Sequence, residues 1–294
     1  MECGGSAFES GSAERTVALT HPTLATELWV DYPQKGEVLR GIKVEVRAGE
    51  ILGLVGESGS GKSTLALAIL GLLRHTGAKI RGSMVLNGTD LATYTEAQMR
   101  DVRGRMVSLI PQGASGALNP ALRIGTQIRE AWNAHAKSSW SAETQRVSEL
   151  LASCGLPADA AFLRRFPGQI SVGQAQRVLI VMSLLHRPAL LIADEPTSAL
   201  DIITQQEVIE LIGGINRDQN MGVLFISHDL PSVAALCRRI AILHDGEIVE
   251  CGPVDSVLAS PKHPYTQKLV AAVERLQIPR IGRAISNSTG TDNP

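Results

Sequence analysis

The sequence predicts an α/β fold organised around a phosphate-binding loop, and three features carry that prediction. They are G-E-S-G-S-G-K-S-T from Gly56 to Thr64, an apolar strand from Leu190 to Ala193 that ends on Asp194 and Glu195, and a long helical stretch between the two. The loop has the G-x-x-x-x-G-K-[ST] spacing of a P-loop. Gly56, Ser58, Gly59 and Gly61 let backbone N–H groups wrap phosphates, Lys62 reaches the terminal oxygens, and the Ser63 hydroxyl, followed by Thr64, suits magnesium. The apolar run Ile51 to Val55 reads as a buried strand before the loop, and Leu65 to Leu73 reads as a helix after it.

The remaining elements follow from period and punctuation. Strands at Glu27 to Asp31, Ile42 to Arg47 and Ser83 to Leu86, bounded by Gly and Asn, predict a small antiparallel sheet beside the loop. From about Asn119 to Pro188 the spacing of apolar residues turns helical, over Ile124 to Ala134, Ala142 to Leu151 and Ser171 to Leu185. A further helix runs from Asp201 to Arg217, then strands at Val223 to Ile226 and Ile240 to Leu243. His244 to Glu247 reads as a tight hairpin turn, with Ile248 to Glu250 returning from it.

Asp194 and Glu195 sit where a buried strand delivers two acids to one place. Asp194 is positioned to hold a magnesium shell, and Glu195 to polarise the water that attacks a γ-phosphate. By itself an acidic pair after a strand also suits a helix N-terminus, whose dipole favours negative charge. The P-loop upstream favours the first reading.

D-E-P-T-S-A-L-D, with I-S-V-G-Q upstream and I-S-H-D-L downstream, resembles the ATP-binding cassette (ABC) ATPase family over about residues 25 to 275. The resemblance implies a P-loop NTPase cassette with a RecA-like core, an antiparallel β subdomain and an inserted helical subdomain, using ATP and Mg2+. It also implies roles for further residues. Gln112 in I-P-Q resembles the Q-loop glutamine that touches the metal and the attacking water, and His228 resembles the switch histidine at the γ-phosphate. Ser198 to Asp201 resembles the D-loop, and Tyr32 resembles the aromatic that stacks on adenine; a tyrosine after W-V-D equally suits packing at a strand edge. Ser171, Gly173 and Gln174 match the signature segment, which completes the ATP site of an opposite subunit. Val172 departs from that pattern, standing where the family has the first signature glycine. A β-branched side chain at this close approach predicts a slower site than the one built on Lys62.

Composition sets limits on function. A chain of 294 residues with 44% hydrophobic and 19% charged residues buries a substantial core. Formal net charge is −1 and aromatics make up 3%, so neither a nucleic-acid footprint nor a base-stacking platform is expected. No apolar run approaches the roughly 18 residues of a membrane span. Cys3, Cys154, Cys237 and Cys251 lie far apart without C-x-x-C spacing, which predicts free thiols of a reducing compartment.

The expected organisation is a disordered extension over 1–22, the first part of the nucleotide-binding core with its β subdomain over 23–118, a helical subdomain over 119–187, the second part of the core over 188–258, and a C-terminal extension over 259–294. That extension opens with S-P-K-H-P-Y-T-Q-K-L from Ser260 to Leu269, and L-N-P ends the Ser115 to Pro120 stretch. Both resemble the oligopeptide, dipeptide and nickel import ATPases. His263-Pro264-Tyr265 alone reads as a Pro-set turn opening a helix. The resemblance implies a second, similar but non-identical ATPase subunit, two transmembrane permease subunits, an extracytoplasmic solute-binding protein acting indirectly, and a place at the cytoplasmic face of the cell membrane. The competing reading is an accessory ATPase of a multi-enzyme complex such as the phosphonate-cleaving system.

Overall fold

Two sheets organise the computed structural model, which describes residues 22–136 and 138–277. The smaller is antiparallel, with β1 (Leu24–Tyr32) between β2 (Gly36–Val46) and β4 (Lys79–Leu86), and β5 (Thr89–Asp90) at the far edge. The larger has the order β10-β9-β3-β8-β7-β6, from β3 (Ile51–Val55), β6 (Val107–Ile110), β7 (Leu190–Asp194), β8 (Gly222–Ser227), β9 (Arg239–His244) and β10 (Glu247–Pro253). Its strands are parallel except β10, which folds back on β9. Asp245 and Gly246 make that turn with φ of 47° and 79°, the left-handed pair that a two-residue hairpin needs.

Side chains alternate across a strand, so the continuous apolar runs of the parallel strands feed two cores, one on each face. Val55, Leu191, Ala193, Val223 and Phe225 enter the first, while Leu52, Leu54, Leu190, Ile192, Leu224 and Ile226 enter the second. The second core also holds β1, β2 and β4 with α1 (Lys62–Ile69) and α2 (Glu96–Val102). The first continues into the helical segment: α3 (Ala114–Ala117), α4 (Ile124–Asn133), α5 (Trp140–Ser153), α6 (Ala160–Leu163) and α7 (Val172–Leu184). Ile124, Ile128 and Trp132 of α4 meet Val147 and Leu151 of α5 and the buried face of α7 there. Buried Gln127 fastens the L-N-P turn to α4. Its Oε1 accepts from the Asn119 N–H at 2.9 Å, and its Nε2 donates to the Asn119 and Leu122 carbonyls.

The chain then runs through α8 (Ile202–Gln219), α9 (Leu230–Leu236), α10 (Val254–Ala259) and α11 (Pro264–Gln277), with Pro264 opening the last helix. Three differences from the sequence reading have physical reasons. The helix after the loop ends sooner, because Gly71 turns left-handed at φ 65° and a 3-10 turn, Leu72–Thr76, replaces its last part. β6 escapes the apolar pattern because Ser108 interrupts four residues that are otherwise apolar. The helices α2 and α9 are too short for a clear period.

Among the described residues no helix is long and apolar enough to cross a membrane. Cys154 and Cys237 are buried free thiols, and burial pushes them up to about 11 and about 12 respectively, which makes them inert. Cys251 is exposed and free. Met1 to Thr20, Cys3 and the end of the C-terminal extension lie outside the described residues.

Candidate nucleotide site

The loop between β3 and α1 takes its shape from two glycines. Gly61 sits at φ 111°, a conformation that side chains resist, and it caps α1 without any side-chain hydrogen bond. The first N–H groups of α1 are therefore free to meet an anion. A Cβ on Gly56 would collide with the Leu243 carbonyl oxygen, so the loop crosses the end of β9 at backbone contact. Lys62 is buried and folds back over the loop, donating from Nζ to the Gly56 and Glu57 carbonyls at 2.8 Å each. Burial lowers its pKa, while Glu195, Asp194 and Glu57 oppose that shift.

Asp194 ends β7 facing the same loop. Its Oδ1 is buried without a hydrogen-bond partner, and burial pushes its carboxyl up while the neighbouring Ser63 hydroxyl pulls it down. An orphaned carboxylate oxygen beside a hydroxyl is a donor set for a hard divalent cation, and magnesium fits it. Glu195 follows at φ 47°, an unusual conformation for a long side chain. Its N–H donates to the Ile226 carbonyl at 2.9 Å, which aims the side chain. Gln112 Nε2 donates to Glu195 Oε2 at 2.6 Å, and His228 Nδ1 lies 3.2 Å from Oε1. One carboxylate is thus bracketed by an amide and an imidazole.

A cleft of about 640 Å3 opens beside these residues, within the range of small-molecule sites. Ser58, Gly59, Gly61, Lys62, Ser63 and Thr64 line it together with Gln112, Glu195, His228 and Tyr32. Tyr32 is half-buried at the end of β1. Lys35 and Val38, from the turn into β2 and its start, also line the cleft and were not singled out by sequence; only their nearness to Tyr32 pointed there.

Gly56 and Asp194 lie just behind the lining, in contact with Lys62 and Ser63, whereas Ser171, Gly173, Gln174 and Asp201 gather elsewhere. Ser171 caps α7, accepting from the Gln174 N–H at 3.1 Å while Gln174 Oε1 accepts from the Ser171 N–H at 3.2 Å. A Cβ on Gly173 would meet Thr204 Cγ2 at 2.7 Å, so α7 and α8 start side by side. Asp201 caps α8 through the N–H groups of Ile203 and Thr204. Hydrogen bonds from the Thr204 N–H and hydroxyl hold its carboxyl below the usual range. Large apolar side chains are exposed along these helix starts: Val172 at 43%, Ile202 at 86% and Ile203 at 74%.

A strand-loop-helix phosphate cradle, two acids at the end of a strand of the same parallel sheet and an inserted helical segment define a P-loop nucleotide-binding cassette. The family model "ABC transporter" matches residues 39–198, and "Oligopeptide/dipeptide transporter, C-terminal region" matches residues 249–292. The chain belongs to the ABC transporter family. It is 41% identical to the dipeptide transport ATP-binding protein DppD of Escherichia coli, over 79% of this chain and 71% of that protein. It is 39% identical to the oligopeptide transport ATP-binding protein OppD of Bacillus subtilis, over 84% and 69%. Against the glutathione import ATP-binding protein GsiA of Salmonella choleraesuis it is 41% identical over 83% of its own length, and it spans only 40% of that relative. Among solved structures, an ATP-binding subunit of an ABC transporter superposes with a TM-score of 0.67 at 28% identity, covering 86% of this chain and 99% of that one. The cassette MJ0796, dimeric and bound to ADP and Pi, shares the fold with a TM-score of 0.69 at 24% identity, covering 79% and 98%.

Proposed function

We propose that this chain is the ATP-hydrolysing subunit of an importer for short peptides. The observation that carries the reading is the Glu195 carboxylate held between Gln112 and His228 at the wall of a cleft whose other side is the phosphate loop. Lys62 and the N–H groups of the loop bind the phosphates, and Tyr32 stacks on the adenine. Glu195 orients the attacking water and takes up its proton, Gln112 holds the carboxylate toward that water, and His228 contacts the γ-phosphate. Ser63, Asp194 and Gln112 would hold Mg2+, which neutralises phosphate charge when bound.

Ser171, Gly173, Gln174 and Asp201 lie apart from this cleft and serve the site of a second, similar cassette packed head to tail. The exposed Val172, Ile202 and Ile203 support that arrangement, because they give the surface around the signature an apolar character that a partner covers. Two permease subunits receive the motion at the cytoplasmic face of the membrane, and an extracytoplasmic binding protein delivers the solute. Nucleic acid has no part. The peptide assignment is supported by the names of the relatives DppD, OppD and GsiA and by the C-terminal match, which favour it over an accessory complex.

Uptake of a labelled dipeptide and of labelled nickel, in cells lacking the chain and in cells supplied with it, tests the reading. Restoration of peptide uptake alone is expected. Restoration of nickel uptake alone, or of neither, overturns the substrate assignment. Val172→Gly is expected to raise ATP turnover of the assembled complex by about twofold or more, since even that needs under 1 kcal/mol of barrier. An unchanged steady-state rate would show that the valine does not obstruct closure.

A further inference from the structure

The sequence pattern gives His263-Pro264-Tyr265 no task beyond opening a helix, yet the fold lays this segment against the phosphate loop. β10 brings it there. The Glu250 carboxylate accepts from the backbone N–H groups of Lys262 and His263 at 3.1 Å, which fixes the chain just before α11. His263 Nδ1 then accepts from the Tyr265 N–H at 3.2 Å. The Tyr265 ring comes to lie on His244, with centroids 3.9 Å apart and planes 10° from parallel.

His244 ends β9 directly under the loop. Its Nδ1 is 3.0 Å from Glu57 Oε1, and Asp245 Oδ2 lies 3.6 Å from its Nε2. Glu57 is therefore touched from two sides. From the cleft side its carbonyl accepts from Lys62 Nζ, and from the outer side its carboxylate meets His244, on which Tyr265 is stacked. The neighbouring Gly56 rests on the Leu243 carbonyl, so the loop has no room to shift unless the end of β9 shifts with it.

We propose that Tyr265 is a positioning residue of the ATP site: through its stack on His244 it holds Glu57, and so keeps the loop carbonyls where Lys62 needs them to be pre-organised for phosphate. The C-terminal segment then acts as a strap on the loop. A loop that must be ordered by the ligand binds more weakly than one ordered beforehand. The effect falls on nucleotide affinity and leaves the water-activating groups Glu195, Gln112 and His228 unaltered.

The inference rests on the ATPase reading, and the test separates the two. The full-length chain and its Tyr265→Ala and Tyr265→Phe variants are titrated with a fluorescent ATP analogue, and ATPase KM and kcat are measured in the assembled complex. Tyr265→Ala is expected to weaken nucleotide binding and raise KM about three- to tenfold, the range an aromatic stack spans, with kcat within about twofold. Tyr265→Phe keeps the ring and is expected to retain most of the affinity. A Tyr265→Ala protein that is thermally destabilised yet binds the analogue like the parent overturns the strap, leaving the segment a purely structural role. If Tyr265→Ala does not fold, Glu57→Gln replaces it. That exposed change weakens the His244 contact without touching the core, and an unaltered KM there equally overturns the proposal. Failure of the parent chain itself to bind the analogue would instead overturn the ATPase reading.

Discussion

Glu195→Gln is expected to slow ATP turnover about 10²- to 10⁴-fold, the usual contribution of a positioned general base, while nucleotide still binds. The substitution preserves shape. Gln112 Nε2, now 2.6 Å from Glu195 Oε2, can donate to the new amide oxygen, and the backbone bond from residue 195 to the Ile226 carbonyl is untouched. What disappears is the charge that, in the role proposed for Glu195, orients the water and accepts its proton. Single-turnover hydrolysis and analogue binding, measured on the same preparation, separate the two effects. Lost hydrolysis with retained binding is the expected pair of results. Turnover near that of the parent would mean that the partner cassette's site carries the work and that Glu195 is not the base.

Lys62→Ala acts one step earlier, on binding. Lys62 Nζ is a buried charge that donates to the Gly56 and Glu57 carbonyls. When phosphate enters, the ammonium exchanges a carbonyl for a charged oxygen, and a hydrogen bond between charged groups is worth about 1.5–3 kcal/mol. Nucleotide affinity is therefore expected to fall about 10- to 100-fold. Removing the ammonium leaves the buried Gly56 carbonyl without this donor, so the melting temperature is expected to fall as well. An equilibrium titration together with a thermal melt checks both statements. Unchanged affinity would place phosphate recognition outside this loop.

The two variants also differ in pattern, which guards against misreading either. Loss of Lys62 lowers occupancy at a given ATP concentration, so added nucleotide restores part of the rate; loss of Glu195 is not relieved by nucleotide.

Much of the fold was legible because its rules are local. The parallel strands are buried on both faces and so read as unbroken apolar runs, and α4, α5 and α7 present apolar residues at helical spacing to one core. Where the local signal fails, a tertiary contact supplies the order. β6 is four residues long with a serine inside, and it is a strand because β7 pairs with it from Val107↔Leu190 to Ile110↔Ala193. Lys35 and Val38 carry no motif and line the cleft only because the β1–β2 hairpin leans over the loop.

The chemistry of the site was written in residue types at fixed offsets, since a loop that wraps phosphate needs glycines, a lysine and a hydroxyl within nine consecutive positions from Gly56 to Thr64. Which groups touch one another is a different matter. Gln112 and Glu195 are 83 residues apart, and the amide reaches the carboxylate only after β6 and β7 pair. The same holds for the stack of Tyr265 on His244 beneath Glu57, and for the meeting of α7 and α8 at Gly173 and Thr204. Spacing along the chain dictates which atoms are available to bind ATP, because short-range geometry is encoded within a few residues. Orientation of the base, the strap behind the loop and the separation of the signature from the cleft arise only when distant segments pack, because no local pattern specifies the distance between side chains that folding alone brings together.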